Sequence, residues 1–405
     1  MKAVQVLSFC CLALTAHRLA ADDFLDSVAD ALTVSAFHDQ VRARLSGSMD
    51  LEGYHFQQPA PGLINSARDN LFNPRFTLFF DAQLGPHVYL FTQARLDRGF
   101  DPSDHGARVR LDEYALRLSP WNDDRLNLQF GKFATIAGNW VERHHSWENP
   151  FITSPLPYEN VTVISDSEAP SSPQDFLGRT LEGKYDSNPV LWGASYATGA
   201  SLAGRLGRFD YAVEIKNASL SSRPESWEAT TVGFDHPTVT GRVGYRPNVS
   251  WNLGFSASRG AYFSPEAKPT LPAGHSLGDY RQSVLGQDFR FEWRHWQLWA
   301  EVYESRFEVP RVGNAETVAY YLEAKYKFTP QLFGALRWNQ QLFDTVPDGQ
   351  GGRAPWGRDL WRTDTALSYR FTAHTQLKFQ YSVQHEEAGA HVFAHTIAGQ
   401  FTLRY

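Results

Sequence analysis

The last thirteen residues, Phe393 to Tyr405, read FAHTIAGQFTLRY and alternate between two kinds of side chain. One face would carry Phe393, His395, Ile397, Gly399, Phe401, Leu403 and Tyr405, and the other Ala394, Thr396, Ala398, Gln400, Thr402 and Arg404. An apolar face opposite a polar one suits a barrel strand with lipid outside and water inside. In a soluble protein the same pattern indicates a half-buried strand. The rest of the sequence must therefore distinguish a membrane barrel from a soluble sheet.

The same period of two recurs along the chain from Val41 onward. Short runs of alternating residues follow one another, each bounded by turn residues, as expected for strands. Their limits are Val41–Gly53, Phe76–Leu84, Val88–Leu96, Tyr114–Leu118, Leu126–Phe130, Leu191–Thr198, Phe209–Ile215, Val239–Tyr245, Val249–Ala257, Phe289–Trp293, Trp296–Val302, Val318–Phe328, Leu332–Trp338, Thr365–Phe371, Leu377–Val383 and Phe393–Tyr405.

The connections between these runs are expected to alternate strictly between short and long. Short turns such as Gly85-Pro86-His87 contain Pro, Gly or Asn, whereas long segments are rich in Gly, Pro and charge, as in Arg98–Arg108, Lys216–Pro237, Gly260–Arg281 and Phe343–Leu360. Short periplasmic turns and long external loops are typical of outer-membrane barrels. A soluble β-sandwich has no reason to sort its connections in this way.

Strand number follows from parity. Both ends of the chain should lie on the periplasmic side, so the number is even, yet Gly178–Tyr185 (GRTLEGKY) would make it odd. If that stretch belongs to the long connection before Leu191, the count is sixteen. The predicted fold is therefore all-β: a transmembrane antiparallel barrel over 41–405 with about sixteen strands, within a range of fourteen to eighteen.

Composition is consistent with a barrel. Mean hydropathy is −0.40, and beyond the leader no stretch approaches the roughly 18 apolar residues of a membrane helix. A chain of this kind can span a membrane only as a closed barrel, because every backbone polar group needs a partner in lipid. Aromatic residues make up 14% of the chain, which suits girdles at the two membrane interfaces.

The amino terminus resembles a secretory leader. Lys2 precedes an apolar stretch from Ala3 to Ala16, and small residues at Ala20 and Ala21 suit cleavage, so 1–21 is predicted to be a signal peptide. A retained membrane anchor is the alternative. Residues 22–40 form a short periplasmic lead-in, either a short amphipathic helix or a disordered segment.

The expected mature chain excludes several kinds of chemistry. Cys10 and Cys11 both lie in the leader, so neither disulfides nor thiol catalysis is available. Removing Lys2 and Arg18 from the 38 basic residues leaves 36 against 44 acidic ones, a formal charge of −8. This balance argues against nucleic acid as a partner. No cofactor is predicted.

The longest connection, 133–188, is the main functional candidate. It contains NWVERHHSWENPFITSPLPYENV (139–161), and loops of this length are usually functional or disordered. Its aromatic residues and prolines favour a packed loop that enters the lumen and narrows it. An external lid or partner-binding loop is the alternative.

The same segment raises the question of enzymatic activity. His144 and His145 lie near Glu142, Ser146 and Glu148. Adjacent histidines in an extended chain point to opposite sides and rarely bind one metal ion. No nucleophile-elbow motif accompanies Ser146. The prediction is that the protein is not an enzyme and holds no metal.

Two motifs resemble a known family. Gln129-Phe130-Gly131-Lys132-Phe133 at the end of a strand, followed by Trp140 and Trp147-Glu148-Asn149-Pro150-Phe151, is similar to porins of the phosphate-selective O and P type. The resemblance implies a sixteen-stranded channel in the bacterial outer membrane, commonly trimeric, in which basic residues draw anions through the pore. That family's anion sites rely on lysine, whereas this chain is richer in arginine.

The expected inward faces carry charges of both signs. The basic pore-lining candidates are Arg42, Arg44, Arg75, Arg95, Lys132, Arg143, Arg242, Arg290 and Arg337. Such charges orient polar solutes, or else form ion pairs that brace the wall. The functional hypothesis is a passive channel for small hydrophilic solutes with a weak anion preference, surrounded by outer-membrane lipid and assembled as a homotrimer. The alternative is a plugged barrel acting as an adhesin or scaffold.

Overall fold

A computed structural model describes residues 24–38, 40–98, 102–179, 184–225, 227–228, 232–387 and 393–405. The predicted signal peptide, 1–21, lies outside the described residues. Sixteen antiparallel strands form one closed barrel, which confirms the predicted fold and strand number. Their polar faces point into the lumen, where the long connection between the fifth and sixth barrel strands is packed.

The strands are numbered in chain order, including three short ones outside the barrel wall (β1, β15 and β16). They are β1 (Thr33–Ala36), β2 (Val41–Phe56), β3 (Asn70–Leu84), β4 (Val88–Asp97), β5 (Arg108–Leu118), β6 (Asn127–Phe133), β7 (Ala197–Leu206), β8 (Phe209–Lys216), β9 (Thr238–Tyr245), β10 (Trp251–Ala261), β11 (Arg281–Trp293), β12 (Trp296–Val309), β13 (Gly313–Lys327), β14 (Leu332–Phe343), β15 (Thr345–Pro347), β16 (Arg353–Pro355), β17 (Leu360–Arg370), β18 (Thr375–Glu386) and β19 (Ala394–Arg404).

Helices are few and short. A helix at 24–31 precedes β1, in line with the helical version of the predicted lead-in. The others are Val141–Arg143, Leu156–Glu159, Pro173–Gly178, Lys184–Asp186, Pro265–Thr270 and Leu277–Asp279. In the described part of the chain, no helix has both the length and the apolar character needed to cross a membrane.

The barrel closes where β19, the strand predicted at the carboxy terminus, pairs with β2. Gly399 lies opposite Gly53, and Gln400 opposite Glu52. Tyr405 and Gly47 exchange two backbone hydrogen bonds of 3.0 and 3.2 Å at the end of this ladder. Beyond that point β1 pairs with the first residues of β2, so it continues the edge of β2 that β19 leaves open.

The two faces of the wall have opposite environments. On β13, Leu322 on the outer face is 52% exposed, whereas the neighbouring Glu323 on the inner face is 3% exposed. On β14, Leu336 is 54% exposed, whereas Arg337 is fully buried. A soluble protein buries its leucines and exposes its charges. The reverse arrangement is stable only where the outer surface contacts lipid and the charges find partners inside.

The buried apolar clusters lie inside the barrel and among the loops at one of its ends. The largest joins residues of the long connection, including Trp140, Tyr158 and Leu191, to Tyr303 and Tyr321 on the inner wall. A second cluster joins the long connection to the loops beyond β10, β12 and β14 and includes Phe176, Tyr262 and Trp356. Part of the lumen is therefore filled with protein.

Two predicted details, the lengths of the connections and the start of one strand, are wrong. Connections do not alternate strictly in length, because β12 and β13 are joined by the tight turn 310–312 on the edge that carries the long connections. The strand predicted at Leu191–Thr198 begins only at Ala197. Leu191 and Trp192 belong to the long connection, where a turn places them in the packed interior, so burial rather than strand pairing explains their apolar character.

If the outer face contacts lipid, replacing Leu322 with Arg should destabilise the folded barrel by about 2–4 kcal/mol, because a cation near mid-membrane loses its hydration. Reversible urea unfolding in lipid vesicles measures this. The matched control is Phe328→Arg, which lies near the short-turn edge on the same face and is 56% exposed. It should cost only about 0–1 kcal/mol. Equal effects at the two positions would contradict a lipid-facing surface.

Candidate functional site: the lumen and the long connection

The connection from β6 to β7 begins after Phe133, and its segment 139–160 lies within the barrel. Between residues 139 and 160 it forms hydrogen bonds with inward-facing side chains of β2, β12, β13, β14, β17 and β18. These strands lie on one side of the barrel, and the connection is attached to that side. Four groups of contacts hold it.

Glu301 on β12 fixes the start of the segment. Its carboxylate is fully buried and accepts hydrogen bonds from the backbone N–H groups of Asn139 and Trp140 and from the Tyr158 hydroxyl, the last two at 2.8 and 2.5 Å. Tyr303 also lies beside Tyr158, with a hydroxyl separation of 2.8 Å. A buried carboxylate is costly unless donors surround it, and here the loop supplies them.

Arg143 fixes the short helix that follows. Its guanidinium donates to Glu323 on β13 at 2.6 Å and stacks over the Trp299 ring, 4.2 Å from the ring centroid. Arg143 is almost completely buried, as is Glu323. This ion pair therefore joins the loop to the wall away from water.

Arg337 on β14 holds the middle of the segment. It donates to Asp364 on β17 at 2.8 Å, to the Thr153 carbonyl oxygen at 3.0 Å and to the Ser154 carbonyl oxygen at 3.1 Å. Its guanidinium also lies 4.2 Å from the centroid of Phe151. One wall cation thus neutralises a wall carboxylate and binds loop carbonyl oxygens at the same time.

Lys378 and Arg362 complete the attachment. The Lys378 ammonium donates to the carbonyl oxygens of Ser146, Asn149 and Phe151 at 2.6–3.3 Å. Arg362 forms an ion pair with Glu159 of the loop. Burial raises the pKa of Glu159, whereas the neighbouring Arg362 acts in the opposite direction.

Two cavities remain on the other side of the lumen. The long-loop cavity, of about 310 Å³, opens toward the long connections and is lined by Leu63, Pro102 and Glu225 among others. The short-turn cavity, of about 1040 Å³, opens toward the opposite edge and is lined by Pro86, Asp124 and Arg246 among others. Among the lining residues that the structure describes, only His144 and His145 border both cavities.

Four of the nine basic candidates border the cavities. Arg75 and Arg95 line the long-loop cavity, where Arg75 pairs with Asp50 and Glu52, and Arg95 pairs with Asp97 at 2.9 Å. Lys132 lines the same cavity and forms an ion pair with Glu228. Arg242 lines the short-turn cavity and forms ion pairs with Asp210 at 3.0 Å and Asp288 at 2.7 Å.

The other five candidates occupy different environments. Arg42 and Arg44 are exposed near the short-turn edge of β2, in register with Gln83 and Asp81. Arg290 pairs with Glu292 and is about half exposed. Arg143 and Arg337 are buried between the loop and the wall, and neither borders the two cavities.

Gly131 explains how Lys132 enters the lumen. Strict alternation from Phe130, which is outward-facing and 46% exposed, would also put Lys132 outside. Gly131 has a φ of +135°, and a Cβ there would lie 2.1 Å from the Tyr114 carbonyl oxygen. Only glycine tolerates this conformation and contact. The break in alternation lets the following lysine reach Glu228.

The expectation that His144 and His145 point apart is wrong. Their ring centroids are 4.0 Å apart with an interplanar angle of 37°. The chain here is helical rather than extended, with Val141–Arg143 in a 3₁₀ turn and His144 in αR conformation. Adjacent side chains can then stack. Among the described residues, no three His, Cys, Asp or Glu side chains converge as a metal site would require.

Sequence reasoning treated the loop contacts only as general charge on the inner wall. The specific partners of Glu301 and Lys378 are mostly backbone groups of the loop, which carry no sequence signal. Tyr158 and Trp140 were noted only as signs of packing. Their joint contact with one wall carboxylate depends on the loop's folded path.

The chain matches no family model and no curated protein. Its fold matches OmpF of Salmonella typhi in a complex with daunomycin (TM-score 0.58, 12% identity, covering 92% of this chain and 100% of that one). It also matches the outer-membrane channel DcaP of Acinetobacter baumannii (TM-score 0.55, 10% identity, covering 92% of this chain and 100% of that one). A third match is an anion-selective porin from Comamonas acidovorans (TM-score 0.55, 9% identity, covering 90% of this chain and 100% of that one). At these identities the likeness concerns the fold alone: this chain has the fold of outer-membrane porin barrels.

If wall charges anchor the loop, replacing Arg337 with Met should destabilise the protein by about 3–5 kcal/mol, because a buried cation and all its partners are separated. Asp364 and Glu323 would each lose one of two cation partners. The carbonyl oxygens of Thr153 and Ser154 would lose their donor. Reversible urea unfolding in vesicles measures the loss, and proteolysis within 139–160 should accelerate. Arg259→Met removes an exposed pair with Glu308 and should cost at most about 1 kcal/mol. If Arg337→Met left the free energy of unfolding unchanged, wall charges would not anchor the loop.

Proposed function

We propose that this protein is a passive channel of the bacterial outer membrane for small hydrophilic solutes. The observation that carries the proposal is the pair of cavities, one open to each edge of the barrel, on either side of His144 and His145. A closed barrel with an apolar outer face and a polar inner face supports a membrane location. The porin-type fold supports the same function by analogy.

The long connection narrows the channel. Its attachment to β12–β18 fills one side of the lumen and leaves the passage between the loop and the wall formed by β2–β9. Arg143 and Arg337, which the sequence suggested as pore-lining, act in this proposal as anchors of the narrowing loop. Arg75, Arg95, Lys132 and Arg242 line the passage.

A weak anion preference is supported by the short-turn end of the passage. Arg42 and Arg44 are exposed there on the inner face of β2. Farther in, Arg75 and Arg95 lie beside carboxylates that offset much of their charge. The preference is therefore expected to be small. Trimeric assembly and kinship with phosphate-selective porins of the O and P type belong to the same proposal and rest on the sequence resemblance.

One observation favours the alternative of a plugged barrel. The inner-wall residues from β12 to β18 are almost completely covered, and Arg337, Asn339, Gln341 and Lys378 have no exposure. A scaffold or adhesin would need no open passage. We infer no enzymatic role in either case, because the buried charged groups described above either hold the loop or form ion pairs within the wall.

Conductance in planar lipid bilayers tests the proposal. The purified protein should give stepwise currents, and a salt gradient should give a reversal potential slightly on the anion side. Absence of steps at every voltage would favour the plugged barrel. A cation-selective reversal potential would remove the anion preference while leaving the channel intact.

Cysteine labelling tests the position of the loop. Both cysteines lie in the predicted leader, so a single new one is unique in the mature chain. Labelling Ser146→Cys with a charged thiol reagent should lower single-channel conductance, because Ser146 borders the long-loop cavity. Ser171→Cys, exposed and outside both cavities, is the control and should have no effect. Equal conductance before and after labelling of Ser146→Cys would place the narrowing elsewhere.

A further inference from the structure

His144 and His145 occupy the point where the two cavities meet. They stack on each other, and the His145 ring also meets Phe79 of β3 edge-on, with centroids 5.4 Å apart and an interplanar angle of 88°. Phe79 belongs to the wall opposite the anchored side of the loop. The pair therefore bridges the passage from the loop to the facing wall.

The two histidines have different hydrogen bonds. Nδ1 of His144 lies 2.5 Å from the Val141 carbonyl oxygen, so this nitrogen carries the proton. Nε2 then accepts from the Tyr196 hydroxyl at 2.6 Å in the neutral ring. The His145 ring nitrogens have no hydrogen-bond partner among the described residues. His145 is thus the member of the pair that can take up a proton without first breaking a hydrogen bond.

Charged groups face His145 from several elements. Arg75 on β3 and Arg95 on β4 are close enough to lower its pKa, together with His144 and, as the largest cause, burial. The pKa of His145 is therefore well below 6.5, and the ring is neutral at neutral pH. The carboxylates around this region are Asp50 on β2, Asp112 and Glu113 on β5, and Glu142 on the loop itself.

The nearby arginines contribute little net charge. Arg75 is paired with Asp50 and Glu52, and Arg95 with Asp97 and Asp112. With neutral histidines, these two arginines and their four carboxylate partners carry a formal charge of −2, so the arginines give the meeting point of the cavities no excess positive charge. A proton added to His145 has no carboxylate partner of its own and would add one positive charge where the two cavities share their lining.

We propose that the His144–His145 pair determines the charge selectivity of the channel, neutral rings giving weak selectivity and a protonated His145 favouring anions over cations. This inference rests on the proposed channel function. The arginines keep their charge at every pH used in the test, whereas the His145 ring gains its charge only when it is protonated.

The test is the reversal potential in a potassium chloride gradient, measured from pH 7.5 down to the lowest pH at which the protein still conducts, because the pKa of His145 is lowered. Acid should raise the chloride-to-potassium permeability ratio by about sevenfold more in the unmodified protein than in His145→Gln, because one unit charge about 7 Å away in water favours chloride and disfavours potassium by about threefold each. His145→Phe keeps the aromatic contact with Phe79 and should behave like His145→Gln. Protonation of carboxylates alters all three proteins alike, so the difference between curves isolates the histidine.

His275→Gln is the matched control, because His275 is an exposed histidine in a loop outside both cavities. It should keep the full acid response. An identical response in His145→Gln, His145→Phe and the unmodified protein would overturn the inference, as would an acid shift toward potassium. Absence of any current in the unmodified protein would instead count against the proposed channel function itself.

Discussion

The structure depends on one constraint: charged side chains that face the lumen are covered by protein and must find partners there. Glu301 and Arg337 are fully buried, although both belong to strands whose opposite face is apolar and exposed. Removing an isolated charge from water costs several kcal/mol, so such residues are stable only when donors or counter-charges surround them. The long connection supplies these partners through its backbone N–H and carbonyl groups.

This constraint also makes the lumen asymmetric. Anchoring groups are concentrated on β12–β18, so the loop lies against that side and the free space lies against β2–β9. The wall and the loop therefore specify each other. The wall charges would be unstable without the loop, and the loop's open backbone groups would lack partners without the wall.

Alternation along each strand predicted the barrel, because a period of two reports which face contacts lipid, and the even strand number then gave sixteen. It failed where an apolar run had another cause. Leu191 and Trp192 looked like strand residues, yet they are buried in a turn of the connection. Periodicity cannot separate burial against a wall from burial inside a loop.

The loop itself was beyond sequence reasoning, because its path follows from contacts with strands up to about 230 residues away, such as Ile152 with Gln380. A local turn at Val141–Arg143 was enough to reverse the expected directions of the two histidine rings. The sequence therefore predicted which residue types lie near the passage, whereas their arrangement in space could not be predicted from their spacing.

Because most charged side chains of the inner wall form ion pairs, the net charge of the wall is a poor guide to ion selectivity. Arg75 pairs with Asp50 and Glu52, so the three groups together carry a formal charge of −1 and the arginine's own charge is more than offset. A count of basic and acidic residues on the inner faces therefore overstates their influence. The residues that matter most to a permeating ion are those at the narrowest contact whose charge is not cancelled locally. His144 and His145 line both cavities, so in the channel that we propose selectivity would depend on their protonation rather than on the number of arginines around them.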